Sequence, residues 1–403
     1  MTTLALNVFG GMLPRRSRQQ LPPQGAEIAV NCDLLSGDLR PVRGSHVVKD
    51  LTAETARLRM AFRIPASFRS DVTSPPPASE YSDDDVWFTS DKLFTHFVKG
   101  PLVNDKYDRY YWTKPGERPR YAALADLVAG GPNGGADPYY IIGVPRPASA
   151  PAVSASGGTV ALAETRCYVY TFVNSYGEES APSEPTCAEG NADGTWSITG
   201  MSTAYIEPWA SEGNPLQKIR IYRTVTGKSG GSFFFVDEVE PPAASYSDTV
   251  PTDEVSLNSQ LASDDWEPPP ENLIGIVRHP NGFLVGFEEG GDLRFSHPYR
   301  PHAWPVGVAL STEGAIQALG VFGQSIAVLT NAHPYTATGT NPAGITLTKS
   351  DTSAPCLSRN SAQTFEDGVV YASPDGITAV GFSGVQIMTQ GLVSAAEWVD
   401  RYF

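Results

Sequence analysis

Residues 273–296 read LIGIVRHPNGFLVGFEEGGDLRFS, and this stretch decides the fold. Three short apolar runs in it are separated by Pro-Asn-Gly and by Glu-Glu-Gly-Gly, which are turn sequences. Similar cycles of short strand-like runs return at 315–338 and at 369–387. Each cycle spans roughly 40 to 50 residues, which is the period of one β-propeller blade. The sequence therefore predicts an all-β protein with a β-propeller-like body.

A second kind of β-structure is expected between two proline-rich linkers, at 145–151 and 268–270. Between them, the run RCYVYTFVN at 166–174 alternates as a central strand does. With the residues that follow it, SYGEESAPS at 175–183, it resembles the strand and turn of fibronectin type III modules. We therefore predict an inserted β-sandwich of the immunoglobulin or fibronectin type.

The predicted organisation has five segments. They are an N-terminal assembly segment (1–45), the first part of the propeller-like body (46–145), the fibronectin type III-like sandwich (151–255), the second part of the body (271–390) and a C-terminal helix (391–403).

The composition indicates a folded, turn-rich protein with an acidic surface. The 403 residues include 38 Gly and 34 Pro, an excess that favours many short strands over long helices. The net charge is −15, and residues 151–270 hold seventeen acidic side chains against five basic ones. Because an acidic surface repels nucleic acid, the charge argues against a DNA-binding protein. It is compatible with a conduit that DNA passes without binding.

The N-terminal stretch ALNVFGGMLPRRSRQQLPPQGAEIAVNCDLLSGDLRPVRG, at 5–44, resembles a known family. It is similar to the N-terminus of phage tail nozzle proteins (tubular tail protein B and its relatives). The shared features are a Phe-Gly-Gly start, a Leu-Pro, a short helix-compatible stretch with an Asn and a loop ending in Arg-Pro. Further phrases resemble the same family: DRYYWT at 108–113, PRY at 119–121, RFS at 294–296 and PHAWP at 301–305.

This resemblance implies a virion structural protein, a tail nozzle or hub subunit. Such a subunit is expected to form a homo-oligomeric ring, by family analogy a hexamer, through which DNA is ejected without specific binding. Other tail or adaptor proteins are its expected partners, and the virion tail, assembled in the host cytoplasm, is its expected location. No signal peptide or membrane insertion is expected, because no apolar run approaches the length of a membrane span.

Two other functions remain open from the sequence. One is a carbohydrate-binding β-propeller, acting as a receptor-binding tail protein, with the fibronectin-like module as a spacer. The other is a glycan-degrading tail enzyme, because any two of the 44 acidic residues could converge in the fold.

Motifs for catalysis are missing from the sequence, so we predict no enzyme, no catalytic residue, no metal and no cofactor. There is no His-Glu-x-x-His and no glycine-rich loop that enters a helix. His297 and His302 could be imagined as metal ligands, but ordinary hydrogen-bonding roles are favoured. Cys167 and Cys187 could meet within the sandwich, but we favour two ordinary buried thiols.

Two candidate interface sites lie near the chain ends. Arg15, Arg16 and Arg18 could contact phosphate, but we favour contacts with acidic residues of a neighbouring subunit, because burying them unpaired would be costly. At the other end, Trp398, Tyr402 and Phe403 are predicted to meet a second polypeptide or the next subunit. The alternative is a terminal helix that packs only on its own domain.

Overall fold

The structure is a computed structural model that describes residues 12–13, 17, 19–22, 24–26, 32–33, 40–41, 47–50, 58–68, 77, 80–130, 139–159, 163–225, 231–365 and 367–402. Strands hold 41% of the residues and helices 9%, so the predicted all-β class is confirmed. None of the helices in these ranges is long and apolar enough to cross a membrane.

The strands are short and follow one another along the chain. In order they are β1 Cys32–Asp33, β2 Arg40–Pro41, β3 Met60–Ile64, β4 Val86–Ser90, β5 His96–Lys99, β6 Tyr110–Thr113, β7 Arg120–Ala122, β8 Tyr140–Ile141, β9 Ala152–Ser156, β10 Ala163–Asn174, β11 Thr186–Asn191, β12 Thr195–Thr199, β13 Leu216–Thr224, β14 Phe233–Val239, β15 Tyr246–Asp248, β16 Leu273–His279, β17 Phe283–Glu288, β18 Asp292–Phe295, β19 Ala309–Ser311, β20 Ile316–Phe322, β21 Ser325–Thr330, β22 Tyr335–Thr338, β23 Thr346–Lys349, β24 Gln363–Phe365, β25 Gly368–Ser373, β26 Gly376–Gly381 and β27 Gly384–Ile387. The α-helices in the described ranges are α1 Leu124–Gly130, α2 Trp209–Glu212, α3 Thr252–Val255 and α4 Ala395–Tyr402.

The chain divides into two compact units. One holds residues 1–94, 312–340 and 344–403, and the other holds residues 95–311 and 341–343. Four sheets share one topology, in which each strand pairs antiparallel with the next strand along the chain: β5–β8 and β16–β19 in the second unit, and β20–β23 and β24–β27 in the first.

Each unit packs its pair of four-stranded sheets around an apolar core. In the second unit, Tyr111 of β6, Leu273 of β16 and Leu284 of β17 belong to one buried cluster. In the first unit, Leu329 of β21 and Val369 of β25 belong to another. Side chains along a strand alternate between the two faces of its sheet, and in these sheets one face is buried. Short apolar runs between turn sequences are therefore the pattern that predicts such strands.

Residues 152–248 form two further sheets that share one core. A four-stranded sheet has the order β11-β10-β13-β14, and a three-stranded sheet has the order β15-β12-β9. Tyr168 of β10, Trp196 of β12 and Ile219 of β13 belong to the same fully buried cluster, so side chains from both sheets meet in one interior. The five-segment division of the chain stays a prediction.

A disulfide joins two strands of the four-stranded sheet. Cys167 of β10 lies directly opposite Cys187 of β11, and their sulfur atoms are bonded. From the sequence alone we had left this pairing open and favoured two unpaired thiols. The antiparallel register brings the two residues together across adjacent strands.

Candidate functional site

A tight turn after β10 directs a glutamate into the protein. The side-chain Oδ1 of Asn174 accepts hydrogen bonds from the backbone N–H groups of Tyr176, at 3.0 Å, and of Glu178, at 2.9 Å. Gly177 has a φ of +77°, a left-handed conformation that favours glycine. The sequence Asn-Ser-Tyr-Gly-Glu thus closes a turn that buries Glu178, which is 4% exposed.

Glu178 accepts hydrogen bonds from three side chains. Its Oε1 accepts from Nη1 of Arg109, the residue before β6, at 2.5 Å. Its Oε2 accepts from the hydroxyl of Tyr121 in β7, at 2.9 Å, and from Nδ2 of Asn174, at 2.8 Å. A buried carboxylate is costly unless it is paired and hydrogen-bonded, and these three donors meet that requirement.

Arg109 lies between two carboxylates. Its Nε donates to Oδ2 of Asp105 at 2.7 Å, and its guanidinium lies 5.6 Å from the ring centre of Tyr176. Burial opposes ionisation of Asp105, but the hydrogen bond and the charge of Arg109 hold the pKa of that carboxyl below its ordinary value. The positive charge of Arg109 is therefore balanced from two sides.

His302, in a loop after β18, is a further buried residue beside Glu178. Its Nδ1 lies 3.7 Å from Oε1 of Glu178, and its ring meets the ring of Trp266 edge-on with centres 5.6 Å apart. Burial lowers the pKa of His302 to about 4, although the charge of Glu178 opposes this shift. The imidazole is therefore neutral at neutral pH. We name these residues the Glu178 cluster: Asp105, Arg109, Tyr121, Asn174, Glu178 and His302.

The adjacent residue, Glu179, makes a separate set of contacts. Its Oε1 accepts hydrogen bonds from Thr171 and Tyr222, both at 2.7 Å, and its Oε2 accepts from Nη1 of Arg220 at 2.8 Å. These partners all lie in β10 and β13. Glu179 therefore binds within the segment 151–255, whereas Glu178 ties that segment to residues 105–121 and to His302.

The Glu178 cluster is suited to holding segments together. Its charged members already face partners of opposite charge, and all six side chains belong to residues that are buried or nearly so. Among the residues that the structure describes, no group of three or more His, Cys, Asp or Glu side chains is arranged to hold a metal ion. We therefore interpret the cluster as a structural junction within the second unit.

The sequence-predicted interface residues are only partly covered by the structure. Arg15, Arg16, Arg18 and Phe403 lie outside the described residues, as does the side chain of Tyr402 at the end of α4. Trp398 is half-buried, and its Nε1 donates to the backbone carbonyl of Ser373 at 3.0 Å, so it lies against β25 of its own unit. Its role towards a partner stays a prediction.

Helix α4 is shorter than the predicted segment 391–403. It begins after Ser394, whose Oγ accepts from the backbone N–H of Glu397 at 3.3 Å. The Glu397 carboxylate accepts from the backbone N–H of Ser394 at 2.9 Å. This reciprocal capping box sets the start of the helix.

The sequence contained the parts of the Glu178 cluster without showing that they meet. Three phrases that carry the family resemblance, at 108–113, 119–121 and 301–305, contribute Arg109, Tyr121 and His302. The partner, Glu178, comes from the fibronectin-like turn. Arg109 and Glu178 are 69 residues apart, and no local pattern pairs positions at that separation.

The low pKa of His302 predicts a loss of stability in mild acid. Between its ordinary pKa of 6.5 and the folded value of about 4, the unfolded state binds a proton that the folded state does not. The free energy of unfolding should therefore fall as the pH drops through that window, by on the order of 2 to 3 kcal/mol from this residue. Urea unfolding of wild type and His302→Gln at neutral pH and in mild acid measures the difference. An equal pH dependence in both proteins would contradict the prediction.

The chain was also compared with known proteins. No protein-family model matches it, and no curated protein matches it.

Proposed function

We propose that the chain is a structural subunit of a phage virion tail, a nozzle or hub protein. In this proposal its copies form a closed homo-oligomeric ring, by family analogy a hexamer, around the path of the ejected DNA. Other tail or adaptor proteins would contact the ring.

The observation that carries the proposal is the meeting of three of the resemblance motifs in the Glu178 cluster. The phrases at 108–113, 119–121 and 301–305 each supply a buried partner to that cluster. Motifs that are shared because they hold a fold together should meet in the interior, and these do. Their burial supports a shared architecture with the nozzle family.

The sheet topology supports the propeller-like part of the proposal. Each unit contains two four-stranded meanders that share a core, as neighbouring propeller blades do. The sheets of four and three strands over residues 152–248 suit a fibronectin-like insert. We therefore propose a propeller-like body with an inserted sandwich.

The charge supports the proposed path for DNA. The chain carries a net charge of −15, and the predicted sandwich segment holds most of it. Because like charges repel, an acidic wall would let a polyanion pass without being held.

The mass of the purified protein in solution tests the proposal. We expect a discrete species near six times the chain mass of 43.2 kDa by light scattering after size-exclusion chromatography. A single-chain mass at every concentration would contradict it. A single chain that is retained on immobilised glycans, or that cleaves them, would favour one of the two alternative functions instead.

A further inference from the structure

The last sheet of the chain has one covered face and one open face. On its covered face, Val369 and Tyr371 of β25 and Val380 of β26 are buried in the core shared with β20–β23. On the open side, Ile377, at 38% exposure, and Met388, at 58%, reach solvent. Alternation along the strands explains why consecutive residues divide between the two faces.

The open face forms an apolar groove of about 710 Å³. Its larger lining residues include Phe365, which is 60% exposed, and Phe382, which is 69% exposed and lies in the turn between β26 and β27. Small residues lie between them, among them Ala379 and Gly381. Large exposed apolar patches on soluble proteins mark interaction sites, and scattered single residues do not.

The charge of the groove limits what can occupy it. Asp367 is the one charged residue among the twelve that line it. A nucleic acid or an acidic peptide would find no cation there, and a basic peptide would find a single carboxylate. Another cavity, of about 610 Å³, is lined by Glu164, Asp193 and Asp253 and is polar by comparison. The groove therefore suits an apolar protein surface.

The covered face of β24–β27 shows how this protein packs another sheet against an apolar sheet surface. Gly320 of β20 lies so close to β25 that a Cβ atom at this position would come within 2.4 Å of Val369 Cγ2. The ring of Phe322 meets the ring of Phe382 edge-on, with centres 5.2 Å apart. A four-stranded sheet with a small residue at the point of closest approach thus covers this sheet from one side. A second copy of the chain carries sheets of the same construction.

From these observations we infer that the open face of β24–β27, together with the turn at Phe382, binds a second copy of this chain. Two chains that each carry a net charge of −15 repel one another, and a contact face that is nearly uncharged, as this one is, adds little to that repulsion. The inference rests on the proposed function, and it assigns this face to the contact between neighbouring subunits of the ring.

Charge substitution on the open face tests the inference. In Phe382→Glu and, separately, Met388→Glu, subunit association should weaken roughly tenfold or more, because a carboxylate would be buried in an apolar contact. Met388 is 58% exposed, so the melting temperature of the Met388→Glu monomer should change little, whereas Phe382→Glu also removes the ring contact with Phe322 and should lower it. Val103→Glu, at a residue that is 84% exposed and lies in the other unit, is the matched control and should associate as wild type does.

The outcomes separate this inference from the proposed function. If wild type associates and both variants associate equally well, the inference is wrong while the ring proposal stands. If wild type is a single chain at every concentration, both are wrong. A photo-reactive phenylalanine analogue at position 388 gives a second readout: a covalent product of two copies is expected. Association of this labelled protein without any such product would overturn the inference.

Discussion

Replacing Glu178 with alanine is expected to lower the free energy of unfolding by about 3 to 5 kcal/mol. The change removes the acceptor for Arg109 and for the Tyr121 hydroxyl, both of which stay buried. Asp105 would remain as the one carboxylate bonded to Arg109. Breaking a buried ion pair from one side costs more than the pair itself contributes, because the remaining charge loses its partner without regaining water.

Chemical denaturation measures this change in the free energy of unfolding, and two further variants serve as comparisons. Glu184→Ala removes a carboxylate whose side chain is 79% exposed, so it should shift stability by less than about 0.5 kcal/mol. Glu178→Gln keeps the side-chain volume and one acceptor, so its loss should fall between the other two. A Glu178→Ala protein as stable as Glu184→Ala would show that the Glu178 cluster does not hold the second unit together.

The second large effect is expected at Asp248, inside residues 152–248. This residue is fully buried, and its Oδ2 lies 3.0 Å from Nε of Arg223 and 3.9 Å from Nη1 of Arg166. The same oxygen accepts a hydrogen bond from the Tyr168 hydroxyl at 2.7 Å. Because Asp248 ends β15 and Arg223 lies in β13, the ion pair joins the three-stranded sheet to the four-stranded one.

Asp248→Ala should therefore destabilise the protein by about 3 to 5 kcal/mol. Arg166, which is 1% exposed, would keep Glu164 as a carboxylate partner, whereas the fully buried Arg223 would be left with the backbone carbonyl of Val250 and the hydroxyl of Thr252. Burial already lowers the pKa of Arg223, even with Asp248 present, which shows how poorly solvated its charge is. Thermal unfolding of this variant beside Glu240→Ala, at an exposed position, measures the effect. Equal melting temperatures would contradict it.

Local patterns in the sequence predicted many of the strands. The runs at 273–277, 282–287 and 292–296 correspond to β16, β17 and β18, and the run at 166–174 lies within β10. These elements follow from alternation and turn residues, which act over a few positions. Helix α1 was not predicted, since it has only seven residues and follows β7 after the single residue Ala123.

The candidate sites depended on contacts that a single sequence does not show. Glu178 and Glu179 are adjacent and chemically alike, yet one binds Arg109 and the other binds Arg220. Which partner each one takes is set by the face of the chain on which it lies. The apolar groove on β24–β27 was missed for a related reason, because Phe382 reads as an ordinary core residue until its 69% exposure is known.

Electron microscopy of the purified protein tests the proposed ring most directly. Two-dimensional class averages should show closed rings of uniform size with a central opening, and six equal subunits in end view. Single particles of one-chain size, or open chains of varying length, would contradict the proposal that this protein is a ring-forming subunit of a phage tail.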